Sequence, residues 1–152
     1  MMTIEMLLEK SIRGFDGSRF FLSYYNGESY ISLIDDRIFI LSQNAINEKS
    51  IAKRDGYLTE VIPEELTDIT LAKLYVTYGG KEYEALMVSK GFEEIIIKAR
   101  KGFEYEDKKI GFEDNINERI AWKKIKRDEI EDIRIEQTSV YEEMLKKYRE
   151  DI

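Results

Sequence analysis

The feature that most constrains the fold of this chain is an internal repeat. Residues 25–33 align without a gap on residues 78–86, and Tyr, Gly, Tyr and Leu coincide. Farther along, residues 61–69 align on residues 125–133 in the same order and direction. Matches that keep their order indicate that one structural unit occurs twice. We therefore predict a tandem duplication.

Each unit is predicted to begin with a β-hairpin. Asn26-Gly27 and Gly79-Gly80 supply the positive backbone angles that two-residue hairpin turns need, and apolar runs flank both pairs. A third strand, a short polar helix and a fourth strand follow, which gives the order β-β-β-α-β. The predicted segments of the first unit are strands at 20–24, 30–34, 37–42 and 57–62 and a helix at 45–54. Those of the second unit are strands at 73–77, 83–88, 94–99 and 120–126 and a helix at 103–110.

The predicted fold class is α+β, with two tandem β-β-β-α-β units forming mainly antiparallel sheet in a single domain of residues 1–152. Unit one covers residues 19–69 and unit two covers residues 72–133. Amphipathic spacing of apolar residues predicts terminal helices at 3–13 and 140–150, which flank the units. Features shared by both copies are expected to serve the fold, so function is expected where the copies differ.

Composition excludes several kinds of chemistry. The chain has no cysteine and no histidine, which removes disulfides, the usual zinc sites and histidine-dependent nucleophilic catalysis. No phosphate-binding glycine loop, metal-ligand spacing or nucleophile motif is present. We therefore expect a protein that is not an enzyme and that needs neither a cofactor nor a metal.

Charge and hydropathy indicate where the protein acts and what it meets. Against 24 basic residues there are 31 acidic ones, a net charge of −7, and residues 1–70 alone hold seven basic and twelve acidic residues. This balance opposes binding to nucleic acid or anionic lipid and favours a basic protein partner. No apolar run approaches the length that crosses a bilayer, and the first twelve residues do not resemble a signal peptide. We expect a cytoplasmic protein with no membrane partner.

Acidic turns and tyrosines are the candidate partner-binding residues. The turn at residues 63–68 recurs at residues 128–132, and its plain interpretation is a solvated helical turn with Leu66 facing inward. A functional interpretation makes it part of an acidic patch that meets a cationic partner. The Asp35-Asp36 pair lacks the six or more oxygens that calcium takes. Tyrosine offers rigid contact area at small entropic cost. The predicted partner-binding residues are Asp35, Asp36, Glu64, Glu65, Asp68, Tyr24 and Tyr30.

A resemblance adds a specific hypothesis. Residues 73–84, followed by residues 122–125 and 128–133, look like small bacterial proteins, and some similar small acidic proteins are immunity proteins of polymorphic or contact-dependent toxins. The resemblance implies tight, non-catalytic occlusion of a toxin's active site, often by an acidic surface against a basic nuclease. It implies a protein partner, a basic toxin domain.

Two alternatives to an immunity protein stay open. One is a phage-type or nucleic-acid-mimicking antagonist of a host factor, which needs carboxylates aligned along one face at phosphate-like spacing. The other is a ligand-binding or structural module whose site lies between the two repeats. An apolar cleft at that junction would favour the second alternative.

Overall fold

This computed structural model describes residues 4–12, 14–16, 19–115 and 120–151. Strands dominate these residues, and they also contain three α-helices, α1 (Ile4–Glu9), α2 (Glu104–Lys108) and α3 (Tyr141–Asp151). Short 3-10 helices span Pro63–Glu65, Lys90–Phe92 and Arg127–Glu129. The predicted α+β class is confirmed at this coarse level. Within the described ranges, no helix has the length and apolar character that a bilayer crossing requires.

The strands pair in antiparallel fashion wherever the structure describes them. Their order across the main path of the sheet is β10-β11-β9-β8-β7-β2-β3-β4-β6-β5, with β1 beside β8 and β12 beside β7. Their bounds are β1 Phe15–Asp16, β2 Phe20–Tyr25, β3 Glu28–Ile34, β4 Ile38–Ser42, β5 Ile51–Lys53, β6 Gly56–Val61, β7 Asp68–Tyr78, β8 Lys81–Val88, β9 Glu94–Lys98, β10 Glu113–Asn115, β11 Ile120–Lys126 and β12 Asp132–Ser139.

Both predicted hairpin turns are confirmed. Asn26 and Gly27 join β2 to β3 with φ angles of 48° and 80°, and Gly79 and Gly80 join β7 to β8 with φ angles of 57° and 76°. Two consecutive positive φ angles match the twist of the flanking strands, which is why glycine and asparagine occupy these positions. The register of each hairpin is therefore set by its turn.

The same succession of pairings occurs in both halves of the chain. In the first half β2, β3, β4 and β6 are neighbours in that order, and in the second half β7, β8, β9 and β11 are. A three-residue strand, β5 or β10, lies outside the last of these. A 3-10 helix then leads to a strand that pairs with the first strand of that half. In the first half β7 pairs with β2, with Asp68 opposite Tyr24, and in the second half β12 pairs with β7, with Asp132 opposite Thr77.

Strand β7 belongs to both halves. Its first residues pair with β2, its last residues pair with β8, and β12 runs along its other side from Thr70 to Thr77. The gap between the two predicted units, residues 70–71, therefore lies inside one continuous strand. The two halves share a rigid connection of paired backbone rather than a linker.

The predicted helix at residues 45–54 is wrong. The Oγ atom of Ser50 accepts hydrogen bonds from the amides of Ile46 and Asn47 at 2.9 and 3.3 Å, and Asn47 Oδ1 accepts one from the Lys49 amide at 2.7 Å. These side chains satisfy the backbone locally and so compete with helical hydrogen bonds. The segment forms a turn, and strand β5 follows it.

The other predicted helices lie where we expected them, and α1 and α2 are shorter than predicted. Helix α2 occupies the middle of the predicted segment 103–110, and helix α1 occupies the middle of segment 3–13, whose first and last residues lie outside the described ones. Helix α3 matches the predicted segment 140–150 closely. Strand β12 was not predicted, although the alternation of Ile133 and Ile135 with polar residues is typical of a strand.

Two apolar clusters form the core. The larger one contains residues of both halves and includes Leu7 and Leu8 of α1, and the full burial of one leucine side chain contributes about 2 kcal/mol. The smaller one lies beneath α3, where the Tyr141 hydroxyl donates to the carbonyl oxygens of Pro63 and Leu66 at 3.0 and 2.7 Å. Helix α3 is thereby fixed against the first 3-10 helix.

Candidate interaction surface

Four carboxylates lie at or next to a small cleft beside α3, and we call them the acidic rim: Asp35, Asp36, Glu60 and Glu64. The first three line the cleft, which has a volume of about 240 Å³, and Glu64 directly follows another lining residue, Pro63. Strand β3 ends just before Asp35, whose Oδ1 accepts the Arg37 amide at 3.0 Å and so fixes the turn into β4. The apolar lining of the cleft consists of Ile34, Ile38, Val61, Ile62, Pro63 and Met144, and Arg37, Lys147 and Tyr148 complete it.

The charge of the acidic rim is only partly neutralised. Glu60 pairs with Arg37 at 3.5 Å, and Glu64 pairs with Arg149 at 3.8 Å. All four of these side chains are exposed, so the pairs contribute little to stability. Asp35 and Asp36 are exposed and form no ion pair with any residue in the described ranges. Their two charges thus have no ion-pair partner among the described residues, although Arg37 and Lys147 line the same cleft.

Two of the predicted partner-binding residues, Glu65 and Asp68, accept hydrogen bonds within the fold. Glu65 accepts the Ile62 amide at 3.0 Å and so caps the first 3-10 helix. Asp68 Oδ1 accepts the hydroxyl of Ser139 at 2.7 Å and the amide of Ile69 at 2.8 Å. Their carboxylates therefore have structural partners, and neither side chain belongs to the acidic rim.

The predicted tyrosines lie away from the acidic rim. The Tyr24 hydroxyl donates to Gln137 Oε1 at 2.5 Å, between β2 and β12. The Tyr30 hydroxyl donates to Glu28 Oε2 at 2.8 Å, and burial together with this carboxylate raises the pKa of Tyr30 to about 12. Tyr30 borders a separate cavity of about 440 Å³ near the hairpin turn, at the opposite end of β3 from Asp35.

A buried carboxylate escaped the sequence prediction. Asp107 has no solvent exposure, and it accepts the Arg100 amide at 2.8 Å, Arg100 Nη2 at 2.9 Å and the Tyr83 hydroxyl at 3.2 Å. Burial raises its pKa, but the hydrogen bonds from Arg100 outweigh burial and leave the pKa below its usual value. The same burial, with Asp107 beside it, raises the pKa of Tyr83 to about 12. In the sequence, Asp107 differs from the other acidic residues only by its position in a predicted polar helix, which is a weak indication of burial.

An apolar cleft lies at the junction of the two halves. Its volume is about 550 Å³, and β2 and β3 face Met87 and Val88 of β8 across it. Leu33 on its wall is 40% exposed. Arg19 and Ser89 supply polar groups at its border. The remaining apolar lining consists of Phe20, Phe21, Ile31, Ile34 and Leu41.

Comparisons with protein-family models, with curated proteins and with solved structures found no match to this chain. Among the described residues, no group of three or more Asp or Glu side chains is arranged to hold a metal ion.

Proposed function

We propose that this protein is a non-catalytic inhibitor of the immunity class, which binds a basic toxin domain through the acidic rim. The observation that carries the proposal is the exposed Asp35-Asp36 pair beside an apolar cleft. Protein interfaces commonly combine an apolar centre with a polar border. The partner it fits is a protein with a protruding lysine or arginine.

The geometry suits the insertion of one long basic side chain. Its methylene stem would lie against Ile38 and Met144, while its charged end would reach Asp35 or Asp36. The cleft has a volume of about 240 Å³. Binding of this kind blocks a partner's surface without any chemical step, and we propose that it takes place in the cytoplasm.

The exposure of the acidic rim supports a binding role over catalysis. Carboxylates that act as general acids or bases usually have a pKa that burial or close neighbours have shifted. Asp35 and Asp36 are in contact with solvent, and Asp35 already accepts the Arg37 amide. Recognition by charge is the activity that such groups support best.

We further propose that the chain is a duplication whose two units share β7. The Thr67 amide donates to the Tyr24 carbonyl at 2.9 Å, and the Glu131 amide donates to the Thr77 carbonyl at 2.9 Å. A second pair of equivalent hydrogen bonds occurs at the 3-10 helices. The Ile62 amide donates to Glu65 Oε1 in the first half, and the Lys126 amide donates to Glu129 Oε1 at 3.0 Å in the second half. Each residue occupies the aligned position of its counterpart, which supports one plan used twice.

The test is co-expression with the toxin candidate encoded beside the gene, together with calorimetric titration of the purified proteins. We expect protection from the toxin and a measurable dissociation constant. The variant Asp35→Lys with Asp36→Lys should weaken binding by about 100-fold or more, because it replaces attraction by repulsion at both positions. The matched control is Asp128→Lys, an exposed acidic residue of the second half, which should leave binding within about threefold of wild type.

The proposal fails if the protein neither binds the toxin candidate nor protects against it. Binding that survives the double charge reversal would assign the interface to another surface. The antagonist hypothesis makes a different prediction, since nucleic acid would then compete with this protein for its partner. The pairing of Glu60 and Glu64 with arginines interrupts the row of charges that such mimicry needs.

The junction cleft favours a second candidate function, the binding of an apolar small molecule between the two halves. Apolar walls with a few polar groups are typical of ligand sites, and about 550 Å³ lies within their usual range. Titration with an environment-sensitive apolar dye should give saturable binding to wild-type protein. The variant Leu33→Arg, which places a charge at the cleft wall, should abolish it. Unchanged dye binding in that variant would exclude this cleft.

A further inference from the structure

Strand β12 is the longest edge in the part of the chain that the structure describes. It runs over Asp132–Ser139 and pairs with β7 in an unbroken register along one side. No described strand pairs with its other side. The edges formed by β5 and β10 are three residues long. Exposed edges are usually protected by charged side chains, especially lysine, by proline or by a bulge. Strand β12 has no lysine, proline or bulge, and its charged residues Asp132, Arg134 and Glu136 include both signs.

The backbone groups on the open side of β12 can be assigned. The Val140 amide donates to the Ile69 carbonyl at 2.8 Å, in the register that places Ser139 opposite Thr70. In an antiparallel ladder, alternate residues direct both the amide and the carbonyl to the same neighbour. The even-numbered residues of β12 therefore bond to β7. The residues whose backbone groups face outward are Ile133, Ile135, Gln137 and Ser139.

We propose that two copies of this chain associate by pairing β12 with β12 in antiparallel fashion, centred on Ile135. A two-fold axis there makes the outward groups of Ile135 bond to those of the second Ile135. Residues 132–138 of each strand are then paired. Arg134 of each copy lies opposite Glu136 of the other, so the dimer gains two attractive cross-strand pairs.

Charge and length select this register over its neighbours. Centring the axis on Arg134 places two arginines opposite each other, and centring it on Glu136 places two glutamates opposite each other, which is unfavourable in both cases. Centring it on Ile133 or Gln137 pairs a shorter part of β12. Within one copy Arg134 already contacts Glu136 at 3.4 Å and Glu82 at 2.7 Å. The side chain is thus held on the face of the sheet where the second strand would present its own Glu136.

The test is sedimentation equilibrium of the full chain between about 1 and 200 μM, a range that covers ordinary dimer affinities. We expect the mass to rise with concentration from 18.0 kDa towards twice that value. The single variants Arg134→Glu and Glu136→Arg each place like charges opposite each other twice. Each should weaken dimerisation by about tenfold or more.

An equimolar mixture of the two single variants distinguishes this register from a loss of folding. In the mixed dimer, the two glutamates of the Arg134→Glu copy lie opposite the two arginines of the Glu136→Arg copy, so association should return to the wild-type level. The double variant with both changes should also associate normally. The control is Arg37→Glu, which disrupts an exposed ion pair on another surface and should leave the dimer constant unchanged.

Amide hydrogen exchange provides a measurement that needs no variant. The amides of Ile133, Ile135 and Gln137 should become more protected as concentration rises, while the protection of Arg134 and Glu136 stays constant. A mass of 18.0 kDa throughout the concentration range would overturn the proposal. Dimers that form equally well from either single variant would overturn it too, as would a mixture that fails to recover association.

Discussion

The loop between the third and fourth strands differs in chemistry between the two halves. In the first half, residues 43–50 are closed by Ser50, whose Oγ accepts two backbone amides and shares a hydrogen bond with the buried Thr59 at 2.8 Å. In the second half, residues 99–112 contain α2 and are closed by Asp107 and Arg100. The surrounding strand order is the same. The same strand order is therefore combined with a neutral hydrogen-bonded loop closure at Ser50 in the first half and a charged one at Asp107 and Arg100 in the second half.

The two closures should respond differently to perturbation. A neutral hydrogen bond contributes about 1 kcal/mol, because folding exchanges it for a bond to water. A buried ion pair contributes little net stability when intact, yet it is costly to break because one charge is then left without its partner. The charged loop should thus be the more sensitive of the two to single substitutions and to acid.

The largest effect is expected from Asp107→Ala. The substitution leaves the Arg100 amide and the Tyr83 hydroxyl without their acceptor, and the Arg100 guanidinium keeps the longer ion pair to Glu106 at 3.6 Å. We expect a loss of about 3 kcal/mol in the free energy of unfolding, measured by urea denaturation at pH 7. Asp107→Asn keeps some acceptors and should lose less. A loss below about 1 kcal/mol for the alanine variant would show that water or rearrangement replaces the carboxylate.

Acid should produce the next largest difference between the halves. Burial raises the pKa of Asp107, but the hydrogen bonds from Arg100 lower it by a larger amount. The folded protein therefore binds a proton at Asp107 less readily than the unfolded chain does. The stabilisation is therefore present above the ordinary aspartate pKa of about 4 and is lost as pH falls through the lower folded value. The stability difference between wild type and Asp107→Asn should shrink below about pH 4. A constant difference down to about pH 2 would contradict this assignment.

A smaller effect is expected from Ser50→Ala in the first half. The variant removes the oxygen that accepts the amides of Ile46 and Asn47 and leaves Thr59 without its hydroxyl partner. We expect a loss of about 1 to 2 kcal/mol with no added dependence on pH. Ser50→Thr keeps the hydroxyl and is the matched control. Equal losses for Ser50→Ala and Asp107→Ala would remove the distinction between a neutral and a charged closure.

Local rules predicted the parts of this fold that local chemistry decides. The hairpin turns followed from Asn26-Gly27 and Gly79-Gly80, because few other residues adopt two positive φ angles in succession. The prediction of a helix at residues 45–54 was wrong because the hydroxyl of Ser50 accepts backbone amides that a helix would use. Composition does not reveal which side chains form such bonds.

Contacts between residues that are distant in the sequence could not be predicted from local sequence patterns. Asp107 resembled any other acid of a polar helix until the structure placed it beneath Arg100 and Tyr83. Of the acidic rim, Asp35, Asp36 and Glu64 were predicted and Glu60 was not. The contribution of α3 to the cleft depends on packing between distant segments. Sequence indicated the charges, and only the tertiary structure showed which of them meet.

The smallest expected difference concerns the two 3-10 helices, where the halves use the same contact. Glu65→Ala and Glu129→Ala each remove a carboxylate that accepts a backbone amide at 3.0 Å. Leu66, next to the first contact, is 4% exposed, whereas Ile130 at the aligned position is half-buried. We expect losses of about 1 kcal/mol for Glu65→Ala and about 0.5 kcal/mol for Glu129→Ala, because water reaches the freed amide more easily at the second site.

Paired urea titrations of these two variants at one pH can resolve that difference if wild type is measured in the same series. Glu65→Gln and Glu129→Gln serve as controls, since an amide oxygen still accepts the hydrogen bond without the charge. Equal losses in the two alanine variants would mean that the contact contributes the same stability at both sites whatever its burial. A larger loss at Glu129 would reverse the expected order and point to a strain or a contact that is specific to the second half.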